Sequence, residues 1–135
     1  MRVVRPLLAP GLVLAVAGCV TTPASEPEYV AHFNEPFLTF ASDGDHLMLT
    51  APSELDGRPI AVTRNVREGG AVFIGMLDPD RPESRFRLTI TRQYCEDDMA
   101  GLPFSHHAML ERGAALELRP QQGCARLKRE PQPQE

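Results

Sequence analysis

Hydrophobic residues in this chain fall in short runs separated by Gly, Asp, Pro and Ser. The clearest run places Phe86, Leu88 and Ile90 on one side and Arg85, Arg87, Thr89 and Thr91 on the other. Period-two alternation with β-branched residues marks a half-buried strand, so Arg85 to Tyr94 is predicted as one, its arginine side solvated. Tyr29 to Phe33 and Phe37 to Phe40 predict two earlier strands. Ser42-Asp43-Gly44-Asp45 before His46 to Thr50 is a hairpin signal. Asp56-Gly57 predicts a turn ahead of Pro59 to Thr63, and Glu68-Gly69-Gly70 one ahead of Ala71 to Met76. Two prolines in Asp78 to Ser84 predict a loop without helix. Leu102 to Leu110 fits a strand, or a short helix ending at Gly113; its antiparallel surroundings favour the strand. Ala115 to Arg119 predicts a short strand with Leu116 and Leu118 inward, and Gln122 to Ala125 closes the domain.

About eight short strands at regular spacing, with no long 3.6-residue period and no βαβ rhythm, predict an all-β fold: a small antiparallel barrel or sandwich. With no Trp, six Phe and two Tyr, the core must rest on Leu, Val, Ile, Met and Phe. The β domain is expected over residues 28–127. Lys128 to Glu135 reads as a disordered polar tail, because Pro, Gln and charge cannot bury apolar area.

The amino terminus has a different pattern. Arg2 and Arg5 precede a mostly apolar stretch from Leu7 to Ala17, and small residues then lead to Cys19. That order is secretory signal architecture, and the apolar stretch, broken by Pro10-Gly11, is too short to span about 30 Å of hydrocarbon. Val16-Ala17-Gly18-Cys19 resembles the lipobox of bacterial lipoproteins. The resemblance implies a signal peptide over residues 1–18, cleavage before Cys19 and a lipid on its sulfur. Residues 19–27 then form a flexible tether. Val20 stands where Asp commonly marks inner-membrane retention, so the resemblance implies the outer membrane, periplasmic face. Two or three acyl chains would anchor firmly, at about 0.8 kcal/mol per buried CH₂.

Charge narrows the partners. Loss of Arg2 and Arg5 takes the formal charge from −4 to −6. A mildly acidic chain with no basic cluster argues against nucleic acid and against a polybasic lipid contact. Membrane attachment is therefore expected through Cys19 alone, with an envelope protein or peptidoglycan as the possible partner of a monomer. Three cysteines are present. With Cys19 acylated, Cys95 and Cys124 read as a disulfide in an exported chain. A metal or redox pair is the competing reading, but CxxC spacing is missing.

Tyr94-Cys95-Glu96-Asp97-Asp98-Met99-Ala100-Gly101-Leu102-Pro103-Phe104, followed by Gly123-Cys124-Ala125, is the most distinctive later segment. It resembles a family of small envelope lipoproteins with the pattern Cys-x-Asp-x-Met-Ser, a nearby aromatic residue and a later Gly-Cys. Cys95, Asp97, Met99, Phe104, Gly123 and Cys124 match, and Ala100 stands where Ser is usual. The likeness covers about 30 residues. A looser resemblance is to heat-shock-associated envelope lipoproteins. Both imply a stapled β domain without an established catalytic activity. From the residues themselves, Asp97 and Asp98 are expected to accept turn amides, and Met99 to fill a gap beneath that turn. Glu96, Asp97 and Asp98 alternate along an extended chain and should not converge on a cation.

Catalytic signatures are sparse. Adjacent His106 and His107 would point to opposite faces of a strand, and His46 follows a turn, so neither they nor His32 make a zinc set. GxSxG, SxxK, CxxC, HExxH and phosphate-loop glycines are missing. Asp43-x-Asp45 lacks the rest of a calcium loop. No metal and no cofactor is expected. The sequence thus points to a non-enzymatic, lipid-anchored envelope protein. One rival is inhibition of a cell-wall hydrolase, since small stapled barrel lipoproteins include C-type lysozyme inhibitors. The other is an envelope hydrolase, which needs His106 or His107 to meet a carboxylate in a concave pocket.

Overall fold

The computed structural model describes residues 24–52 and 54–134. Cys19 and the signal-like stretch lie outside them. Ten strands run in chain order: β1 Tyr29–Asn34, β2 Phe37–Asp43, β3 His46–Ala51, β4 Glu54–Arg67, β5 Gly70–Met76, β6 Arg85–Thr91, β7 Cys95–Glu96, β8 Pro103–Phe104, β9 His106–Arg112 and β10 Gln121–Leu127. Eight of them close an antiparallel barrel in the order β1-β10-β9-β6-β5-β4-β3-β2, and β7 and β8 form a separate two-stranded ribbon. Among the described residues no helix is long and apolar enough to cross a membrane.

Alternation decides which side chains fill the barrel. Phe33, Phe40, Phe73, Phe86, Leu47, Leu88 and Leu110 are fully buried inside it. Four phenylalanines fit one small barrel because small residues face them: Ala31, Ala71, Ala108 and Ala125 are also fully buried. Such large-to-small complementarity is how side chains fill the interior of an eight-stranded barrel. Phe86, Leu88 and Ile90 point inward as their alternation predicted. On the outside, Arg87 forms a two-pronged ion pair with Glu111 of β9, at 2.6 and 2.8 Å.

One end of the barrel is closed by Arg64. Its register partner is the inward-facing Phe73, and the guanidinium carbon lies 5.5 Å from the centre of that ring. Nη1 donates to Glu28 Oε1 at 2.9 Å and to the carbonyl of Gly44 at 3.0 Å, and Nη2 donates to the carbonyl of Pro27. Nε sits 3.4 Å from the Glu26 carboxylate. Glu28 also accepts from Ser42 Oγ and from the Gly44 amide. Burial opposes ionisation of Glu28, but the Ser42 and Arg64 hydrogen bonds outweigh it and hold the carboxyl below its usual range. The segment entering β1 is thereby clasped across the barrel end.

Several expectations change. Arg85 to Tyr94 is strand only to Thr91. Asp56-Gly57 is not the reversal before Pro59: it lies within β4, where the pairing slips between Leu49 and Ala51 and Gly57 takes φ +72°. An Asp-Gly pair serves a bulge as readily as a turn, because both need a positive φ. The proline loop contains a three-residue 3-10 turn, Pro82–Ser84, since proline is tolerated at a first helical position. Ala115 to Arg119 is not a strand: Leu116 adopts φ +58°, and Leu118 is half exposed. At the tail, Lys128 N donates to the Glu28 carbonyl, and Glu130 Oε2 accepts from Ser105 Oγ and Leu127 N.

Candidate functional site

The register builds a row on the outer wall. Thr39 pairs with His32, His32 with Cys124, Cys124 with His107 and His107 with Thr91. Directly opposed residues share a face, so His32, Cys124 and His107 stand side by side outside the barrel. Cys95 is disulfide-bonded to Cys124, with Cα atoms 5.5 Å apart. The bond draws the β7–β8 ribbon over this row. Between ribbon and wall lies a cleft of about 420 Å³, reached by His32, Asn34 and Glu35 from β1 and its turn, and by Glu96, Asp97, Asp98 and Met99 from the ribbon. Gln121 and His107 complete its floor. A larger and more open depression, about 980 Å³, follows β4 and β5 but offers mainly apolar side chains and backbone.

Asp97 makes the turn. Its Oδ1 accepts the amides of Met99 (2.9 Å) and Ala100 (2.8 Å), and its carbonyl accepts the Gly101 amide. Oδ2 accepts from Asn34 Nδ2 at 3.0 Å, which pins the turn to β1. The Ala100 amide and the Asn34 carboxamide hold Asp97 below the usual carboxylate range. Asp98 accepts no turn amide among the described residues. Met99 does not fill a gap beneath the turn: it is 65% exposed. Glu96, Asp97 and Asp98 all line the cleft, because alternation holds only while the chain is extended and a turn begins at Asp97. Among the described residues no group of three His, Cys, Asp or Glu side chains is placed to hold a metal ion.

Phe104 is buried on β8, its ring 5.7 Å from that of His32. Gly123 is not part of the turn. It sits in β10 facing the interior, where a Cβ would come within 2.3 Å of the His32 carbonyl and 2.6 Å of the Phe33 ring. His32 Nδ1 contacts Thr39 Oγ1 at 3.2 Å, and its Nε2 is buried without a partner. Burial, followed by the charge of Arg126, pushes the His32 pKa down, against the opposing pull of Asp97.

His106 and His107 do face opposite ways. His106 is buried inside the barrel end, 5.4 Å edge-on from Tyr29. It reaches a carboxylate through Ser105, whose Oγ lies 2.8 Å from His106 Nδ1 and donates to Glu130 Oε2 at 2.6 Å. A hydrolytic triad puts imidazole between carboxylate and hydroxyl. Here the hydroxyl stands in the middle and donates its hydrogen bond to the carboxylate, so the order of a triad is not reproduced. His107 lines the cleft with no hydrogen-bonded carboxylate among the described residues. His46 is half exposed beside Asp45, at 2.7 Å.

The whole describes a closed eight-stranded antiparallel barrel carrying a stapled ribbon and an acid-rimmed cleft. Comparison with protein-family models, curated proteins and solved structures finds no match for the chain.

Proposed function

We propose that this chain is a lipid-anchored protein of the bacterial envelope, without catalytic activity, that uses the ribbon cleft to dock an envelope partner. The observation that carries the reading is the run Leu14-Ala15-Val16-Ala17-Gly18-Cys19, which has the form of an acylation site. Two structural features support it. The Arg64 clasp takes hold of the chain at Glu26 to Glu28, so a tether from Cys19 would leave from that barrel end. β1 then runs about 20 Å from the clasp to Asn34, which puts the cleft's far rim away from the anchored end. The membrane would most readily be the outer one, facing the periplasm, because Val20 follows the acylated position.

Metabolic labelling with palmitate and membrane fractionation test the anchor. Label and membrane association are expected in the wild type and should vanish in Cys19→Ser; an unlabelled wild type defeats the anchor. Capture from detergent-solubilised envelope tests the docking. A specific protein or peptidoglycan fragment should be retained and lost when Glu35 and Asp98 are neutralised. A second reading, inhibition of a cell-wall hydrolase such as lysozyme, is favoured by the closed stapled barrel and its exposed acidic turn. Lysozyme turnover with micromolar purified chain decides it, and unchanged turnover removes it.

A further inference from the structure

The cleft has a neighbour. A second groove, about 290 Å³, shares His32 and Asn34 with it and is walled by Phe37, Leu38 and Pro52. Phe37 is 54% exposed there, and Met99 is exposed across the cleft. Glu35, Glu96, Asp97 and Asp98 line the cleft, and neither groove has a Lys or Arg in its lining. The Glu35 and Asp98 side chains are exposed and have no ion pair among the described residues. Arg126, whose charge reaches His32, commits Nη1 to the carbonyls of Leu127, Lys128 and Glu130. Those bonds leave its charge in place, and at His32 it outweighs the charge of Asp97, so the negative charge left for a ligand is that of Glu35, Glu96 and Asp98 at the rim. Inside the cleft lining, two hydrogen-bonding atoms are buried and unpartnered, His32 Nε2 and Gln121 Oε1. Buried polar atoms normally have partners, and either of these could accept a hydrogen bond from a water or from a donor entering the cleft.

We infer that the paired grooves bind an extended peptide segment of a partner protein, with a Lys or Arg entering the acidic cleft and an apolar residue resting on Phe37. In an extended segment, side chains two residues apart share a face and lie about 7 Å from each other. The two grooves meet at His32 and Asn34, so the pattern to test is basic, any residue, apolar. Carboxylates around a guanidinium give charge-assisted hydrogen bonds, which are about twice as strong as neutral ones. This inference rests on the cleft being the docking site of the proposed function.

Fluorescence anisotropy with the purified full chain and dye-labelled Gly-Arg-Ser-Leu-Gly tests it, against the same peptide with citrulline in place of arginine. The arginine peptide should bind about tenfold more tightly, weaken as salt rises from 0.05 to 0.5 M, and lose about tenfold in Glu35→Gln with Asp98→Asn. Both replaced side chains are exposed, so the variant should keep the wild-type melting temperature. Glu83→Gln, in the 3-10 turn that lines neither groove, should bind as the wild type does. Equal binding of the two peptides, or equal loss in Glu83→Gln, overturns the charge recognition. If the peptides bind equally yet both weaken with Phe37→Ser, the groove still docks a partner and only the ligand class is wrong. No binding of either peptide overturns the inference.

Discussion

Gly123 shows how one missing side chain sets the packing of the wall that carries the cleft. Phe33 lies over it, and a methyl group there would meet backbone as well as ring. Gly123→Ala should cost about 3 kcal/mol, as overpacking against a rigid neighbour does. Gly44→Ala is the control: its φ of +60° is left-handed but nothing lies within 4 Å, so only backbone strain of about 1 kcal/mol is expected. Urea titration of both variants checks the difference; equal losses would refute the packing account. Titration works at the same scale. His32 and His106 have folded pKa values pushed below 6.5, first by burial. Below 6.5 the unfolded chain therefore binds more protons, and stability is whole above that pH and falls as the pH drops towards the folded values. Depressed Asp97 and Glu28 add a second loss at lower pH, as it falls through their own folded values. The urea midpoint should be flat from pH 8 to 7 and decline from 6.5 to 5, with about half that slope in His32→Gln. An unchanged slope would exclude His32.

The ribbon is the element least supported by the sheet. Its strands have two residues each, and no barrel rung passes through it. What joins it to the wall is the disulfide, the Asn34–Asp97 hydrogen bond and the Phe104 ring against His32. Cys95→Ala with Cys124→Ala should therefore leave the barrel closed while lowering stability by about 3.5 kcal/mol, the chain-entropy value for this loop. Hydrogen exchange should rise at Asp97 and Gly101, whose amides close the turn, and stay slow in β1, β9 and β10; exchange rising throughout the barrel would contradict this. Most wall strands were legible in the sequence because alternation and Asp-Gly or Gly-Gly turns agree there. Ala115 to Arg119 misled for a definite reason. Leu116 and Leu118 alternate, but β10 already pairs with both β9 and β1, and a closed barrel has no free edge for another strand. Met99 misled because hydrophobicity says nothing of which side of a turn a residue occupies.

At the scale of the whole molecule, closure decides what can meet. The staple from Cys95 to Cys124 was readable from the residue types, so half of the cleft was too. His32, Asn34 and Glu35 were not, because only the β1–β10 pairing brings the first strand beside the last. Arg64 was equally silent: in sequence it stands just past the run read as a strand from Pro59 to Thr63, and its meaning depends on the barrel end it covers. Its side chain is only 7% exposed yet holds Glu28, Gly44 and Pro27 together over Phe73. Arg64→Leu would keep the apolar contact with Phe73 while leaving Glu28 without its cation and two carbonyls without their donor. Removing one partner of a buried ion pair is costly, and about 2 kcal/mol is expected here because Glu28 is partly solvated. The loss should be local in its consequences. A glutamyl endopeptidase should cut after Glu28 faster in the variant, while the cleft, whose acidic rim begins at the far end of β1, keeps its peptide affinity. Unaltered cleavage would mean that Arg64 plugs the barrel without gripping the incoming chain; lost affinity would mean that the two ends of β1 are coupled.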